Sequence, residues 1–134
     1  RGEPWTKVEV SGIDAEVSEF VDDMAAAYAW ADLVVCRAGA LTVSELMAAG
    51  VASLLVPFPY AVDDHQTINA GYLTQAGAGI LLPQSTLTPT RLADEIDALS
   101  RHRERLFEMS RRAYELARRD ATRAVADACE EFRA

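Results

Sequence analysis

Three short apolar runs, spaced by helix-length segments, constrain this chain most. Leu33-Val34-Val35-Cys36, Val51-Ala52-Ser53-Leu54-Leu55-Val56 and Gly79-Ile80-Leu81-Leu82 have strand length and no polar alternation. Such runs belong to strands covered on both faces. Between them, Leu41–Ala49 has helical spacing and a stop at Gly50, and His65–Gln75 is closed by Gly77. No hairpin turn is read between strands. The expectation is α/β: a doubly wound parallel sheet with C-terminal helices.

The rest of the chain fits around that sheet. Val17–Val21 reads as extended, and Met24–Trp30 as a short Ala-rich helix started by Asp22-Asp23. Thr88-Pro89 opens a helix through Leu99, with Pro in the first turn. From His102 to Phe132 the pattern is helical. Leu106, Met109, Ala113, Leu116 and Ala117 form one stripe, and Val125, Ala128, Cys129 and Phe132 form a second; Asp120-Ala121-Thr122 is read as a break between them. Leu46 and Ala49 are expected on one inward face, as are Ile68, Tyr72 and Leu73, with Thr42 or Ser44 capping the helix that ends at Ala49.

Composition excludes several function classes. The 134 residues suit one domain, and half are apolar, enough for a core. A net charge of −8 argues against a generally basic nucleic-acid binder. Residues 1–100 carry 4 basic against 14 acidic side chains, whereas 101–134 carry 9 arginines against 7 acids. That shift marks 101–134 as a plain helical segment whose Arg/Glu pairs are read as a solvated face. No apolar run reaches membrane-spanning length. Cys36 and Cys129 lie far apart, so no disulfide framework or zinc knuckle is expected, and a cytoplasmic setting is. His65 and His102 are too few for a metal site, and no cofactor is expected. The opening Arg1-Gly2-Glu3-Pro4 lacks an initiator Met, so the chain reads as a piece of something longer.

Ligands of doubly wound sheets bind beyond the carboxyl ends of the strands. Here those ends are Asp22-Asp23, Arg37–Thr42 and Phe58–Asn69. Arg37-Ala38-Gly39-Ala40-Leu41-Thr42 joins a strand to a helix, and free N–H groups there suit an anion. A plain βα turn fits the same residues, and neither a Walker loop nor a dinucleotide fingerprint is present. Glu45 shares a face with Thr42 and suits a pair of ribose hydroxyls; a capping box, Thr42-Val43-Ser44-Glu45, is the other reading. Gln66 and Asn69 are three apart, and their amides suit sugar hydroxyls. Asp63-Asp64 read as a hydrated helix start, and Asp22-Asp23 as favourable charge at a helix N-terminus. Cys36, Tyr28 and Trp30 read as packing.

Taken together, Val17–Asp32, the element Cys36-Arg37-Ala38-Gly39-Ala40-Leu41-Thr42-Val43-Ser44-Glu45, Pro57-Phe58, Gln66 and Asn69-Ala70 resemble one family. It is the family of GT-B glycosyltransferases that carry N-acetylglucosamine from its UDP donor to lipid I, forming lipid II of peptidoglycan. The resemblance runs from about Val17 to the C-terminus and implies a partial UDP-sugar donor-binding domain over 1–134: the Rossmann-like C-terminal domain of a GT-B glycosyltransferase, its doubly wound sheet truncated at the N-terminus. It implies uracil held by backbone at Val21, diphosphate and sugar at Ala40, Leu41 and Thr42, ribose at Glu45, and sugar hydroxyls at Gln66 and Asn69, with His65 beside them. A Ser often stands where Ala38 does, and a Gln where His65 does. The first implies one hydroxyl donor fewer near the loop, the second a changed hydrogen-bond geometry. The family's proposed catalytic His lies outside the matching stretch, so no catalytic residue is expected here. Implied too are no metal, lipid I held by an absent N-terminal domain, peripheral attachment to the cytoplasmic membrane face, and self-association through the truncated sheet edge. A different UDP-sugar transferase and a non-catalytic binding module are the competing readings.

Overall fold

The computed structural model describes the backbone of residues 5–10, 13–60 and 62–131, and the side chains of 13–60 and 63–118. Two sheets are present among these residues. In the first, β1 (Trp5–Val10) and β2 (Ile13–Ser18) pair antiparallel, from Trp5 opposite Ser18 to Val10 opposite Ile13. This hairpin corrects the reading that the chain has none. Its signal is a Ser-Gly dipeptide between alternating Val8-Glu9-Val10 and Ile13-Asp14-Ala15. The extended run also ends earlier than expected: β2 stops at Ser18, and Glu19–Asp23 form an irregular link.

The second sheet is parallel, in the order β3 (Leu33–Cys36), β4 (Ala52–Leu55), β5 (Gly79–Leu81). Helix α2 (Ala40–Ala49) crosses from β3 to β4, and α3 (His65–Thr74) from β4 to β5. Helix α1 (Met24–Trp30) precedes β3, and α4 (Pro89–Arg101) and α5 (Arg103–Glu131) follow β5. Strand β4 lies in the middle, and every residue in it is buried. Its side chains alternate between two cores, as strand pleating requires. Leu55 packs with Tyr28, Val43, Leu46, Leu73 and Ala113 on one face. Ala52 and Leu54 pack with Leu82, Leu99, Leu106 and Met109 on the other. Both faces are therefore covered, and α5 contributes to each.

The helix ends follow local chemistry. Asp23 caps α1, its Oδ1 accepting from Ala26 N at 3.0 Å, in keeping with the structural reading of the Asp pair. Thr88 caps α4 by accepting from Arg91 N at 3.0 Å, and Pro89 opens that helix. Gly50 ends α2 in the left-handed region, with φ 68°.

Several inward assignments need correction. Leu46 is fully buried, but Val43 and not Ala49 shares its face: the two stand on opposite sides of Leu46 around the helix, and Ala49 is the exposed one. In α3 only Leu73 of the expected trio is buried; Ile68 and Tyr72 are exposed, and Ala70 occupies the core in their place. Trp30 is 86% exposed, whereas Tyr28 packs as expected. Helix α5 runs unbroken through Asp120-Ala121-Thr122. The stripe of Val125, Ala128, Cys129 and Phe132 lies outside the residues whose side chains are described.

Candidate functional site

The carboxyl ends of β3, β4 and β5 are laced together by side chains. Gln66, in the first turn of α3, accepts at Oε1 from Phe58 N at 2.8 Å and from Ala38 N at 3.2 Å. Asn69, one turn on, donates from Nδ2 to Ala38 O at 3.0 Å. Arg37 donates from Nη1 to Val56 O at 3.3 Å, Pro57 O at 3.4 Å and Gln84 Oε1 at 2.6 Å. Its guanidinium also lies 5.7 Å from the centre of the Phe58 ring. The link from β3 into α2 is thus held on both sides.

What that link presents is the start of α2. The helix begins at Ala40 with Gly39 as its cap, and no side chain bonds the cap position. Val43 N reaches Gly39 O at 3.0 Å and is the first amide inside the helical ladder. Ala40, Leu41 and Thr42 therefore supply the orphan N–H groups of the first turn, beside the positive end of the helix dipole. This excludes Thr42 or Ser44 as the cap, and with them the capping-box reading of Glu45, which lies beyond the first turn. Gly39 has an ordinary φ of −62°, and a methyl built there would meet only Thr42 Oγ1, at 3.9 Å.

Glu45 is half-buried and lies against Tyr28. Burial first, and then the Glu45 carboxylate, push the Tyr28 hydroxyl above its ordinary pKa. Glu45 makes no ion pair with a basic residue among the described ones. Asn69 and Ala40 share a groove of about 310 Å³ between α2 and α3, lined also by Met47 and Tyr72. A larger hollow, about 450 Å³, lies beside Ala31, Asp32 and Phe107 at the amino end of β3, away from these loops.

The remaining residues stand further out. His65 begins α3 in an exposed position, with Nε2 4.0 Å from Asp63 Oδ2. Val21 is exposed in the link between β2 and α1. Ala38 is fully buried and packs in the core cluster that holds Val43 and Leu46. Burial raises the Cys36 thiol to about 11, in keeping with a packing role. Among the described residues no cluster of His, Cys, Asp and Glu could hold a metal ion. The sequence places Arg37 in the loop into α2 but gives no sign of its clamp or of its partner Gln84, although Arg37 is the only Lys or Arg between Lys7 and Arg91.

Residues 3–130 match the model of the glycosyltransferase family 28 C-terminal domain. The chain belongs to that family. It is 60% identical over 121 residues to the UDP-N-acetylglucosamine–N-acetylmuramyl-(pentapeptide) pyrophosphoryl-undecaprenol N-acetylglucosamine transferase of Azotobacter vinelandii, covering 90% of this chain and 34% of that protein. The transferase of the same name from Nitrosococcus oceani is 57% identical over the same shares. Among solved structures, the crystal structure of Acinetobacter baumannii MurG matches with a TM-score of 0.67 and 51% identity, over 72% of this chain and 27% of that one. The fold is accordingly the Rossmann-like C-terminal domain of a GT-B glycosyltransferase, and the chain spans about a third of the length of the curated relatives it matches. No described helix is long and apolar enough to cross a membrane.

Proposed function

We propose that this chain binds UDP-N-acetylglucosamine, as the donor half of an enzyme that transfers N-acetylglucosamine to lipid I and so forms lipid II. The observation that carries this is the uncapped start of α2, with three first-turn N–H groups and Glu45 within the next turn. A diphosphate takes the N–H groups, and the helix dipole favours its charge without lysine. Glu45 accepts from the two ribose hydroxyls. Val21 offers backbone to the uracil, and His65, Gln66 and Asn69 border the sugar.

The reaction is an inverting displacement. The muramyl 4-hydroxyl of lipid I attacks the anomeric carbon, the bond to the diphosphate breaks, and UDP leaves. The amides at Ala40, Leu41 and Thr42 stabilise the charge that grows on the leaving diphosphate. The acceptor and the base that takes its proton belong to the two-thirds of the relatives that this chain does not span. A lipid-linked acceptor puts the enzyme at the cytoplasmic membrane face as a peripheral protein. The outer edge of β3, unpaired among the described residues, is where a further strand or a second copy can add.

Calorimetric titration with UDP-N-acetylglucosamine tests the assignment. Saturable binding is expected, weakened about tenfold by Glu45→Ala through loss of the ribose contacts. An affinity that Glu45→Ala leaves untouched removes Glu45 from the site.

A further inference from the structure

Among the described residues, Tyr28 is the only aromatic side chain that is buried. Its ring packs with Val43 and Leu46 of α2, and Cys36, at the end of β3, borders the same cluster. Packing therefore fixes the ring, and the ring fixes where its hydroxyl points. A phenol sealed in a core needs a partner for its O–H. Here the partner is the carboxylate of Glu45, on the helix that carries Val43 and Leu46. The hydroxyl donates and the carboxylate accepts.

That pairing suits a carboxylate with a second task. A carboxylate offers about four acceptor positions, and a phenol takes one of them. A neutral donor orients the group without cancelling its charge, as an arginine would. A glutamate side chain is flexible, and a contact that already holds it lowers the entropy lost on binding a ligand. Helix α1 adds a further link. Asp23 caps it two residues after Val21, and Tyr28 lies in its body. One short helix thus follows directly on the backbone at Val21 and bears the hydroxyl that meets Glu45.

We propose that Tyr28 is a positioning residue for the donor's ribose: from the core between α1 and α2, its hydroxyl holds the Glu45 carboxylate in the orientation that accepts from both ribose hydroxyls. Tyr28 touches no ligand and acts through Glu45. Base and ribose are then set together by α1, and the preference for a ribonucleotide depends on a residue outside the cleft. This inference rests on the donor-binding reading above.

The preference for UDP over its 2′,3′-dideoxy analogue isolates the ribose contacts, because the two share base and diphosphate. Calorimetric titration with each nucleotide is expected to give a preference of about tenfold in the native chain and about threefold in Tyr28→Phe, with the affinity for the dideoxy analogue unchanged. Phenylalanine keeps the packed ring, and thermal unfolding checks that the variant is folded. In a Glu45→Ala background, Tyr28→Phe is expected to change neither affinity, since a residue that acts through Glu45 has nothing to add once Glu45 is gone. A merely structural role would lower both affinities together and leave the preference at its native value, and that result overturns the proposal. So does an effect of Tyr28→Phe that is as large without Glu45 as with it. A native chain that binds neither nucleotide removes the donor-binding reading and this proposal with it, whereas a native preference unmoved by Tyr28→Phe removes the proposal alone.

Discussion

Arg37 donates to Gln84 across 47 positions of sequence, at 2.6 Å, joining the exit of β3 to the turn that follows β5. The same Nη1 atom reaches the Val56 and Pro57 carbonyls at the exit of β4, so one guanidinium spans all three strand ends. Arg37→Met removes these bonds while keeping much of the stem. It is expected to cost about 1–3 kcal/mol, because it strips a charged donor from carbonyls that are part-buried. Arg37→Lys should recover little, since an ammonium lacks the planar fork that meets separated acceptors. Denaturant unfolding of both variants measures this; full recovery by lysine would show that charge alone matters there.

Tyr28 and Glu45 give a pH dependence with a definite sign. The raised Tyr28 pKa means that the fold favours the protonated hydroxyl. Its contribution to stability is whole below the ordinary value of 10.0 and is lost as pH rises through the folded value. Tyr28→Phe should flatten the alkaline limb of the stability curve above pH 10. Glu45→Gln should bring the Tyr28 titration, followed by its ultraviolet absorbance, part of the way back, since burial is the larger cause.

Cys36 behaves likewise at lower pH. Its thiol is raised by burial from 9.0 to about 11, so unfolded chains ionise first as pH passes 9. Stability should therefore fall between pH 9 and 11 and should fall less in Cys36→Ala. In a Cys129→Ser background, alkylation of Cys36 should be slow at pH 8 compared with a free thiol, and should quicken toward pH 11. Fast alkylation at pH 8 would contradict its burial.

Much of this arrangement is legible in the residues. Leu33–Cys36, Val51–Val56 and Gly79–Leu82 locate three strands because a strand buried on both faces needs an unbroken apolar run. Gly50 and Thr88 mark helix ends because each does something local: one adopts a positive φ, the other accepts from a free N–H. The inward faces of α2 and α3 were less legible. Val43 and Ala49 stand about 60° to either side of Leu46, so spacing alone does not say which of them shares its buried face. The hairpin of β1 and β2 was missed because Thr6, Glu9 and Asp14 give it polar alternation, unlike the apolar runs of the parallel sheet. At the site, the spacing of Gln66 and Asn69 was readable, but their grip on Ala38 was not. That grip depends on two loops meeting in space, and no periodicity carries that information.

Gly50 and Gly77 both have positive φ, 68° and 74°, and yet they should not tolerate alanine equally. Each substitution pays for left-handed backbone, about 1 kcal/mol. The difference lies in what the new methyl meets. At Gly50 it comes within 2.9 Å of the Tyr114 Cβ, an atom fixed to the backbone of α5. At Gly77 the nearest atom is the guanidinium end of Arg112, on a long side chain that can swing aside. Gly50→Ala must therefore push α2 from α5, and a cost of about 2–4 kcal/mol is expected, against about 1–2 for Gly77→Ala. Thermal unfolding of the two variants side by side decides it. Equal losses would mean that α5 yields at Tyr114 as readily as the Arg112 side chain swings.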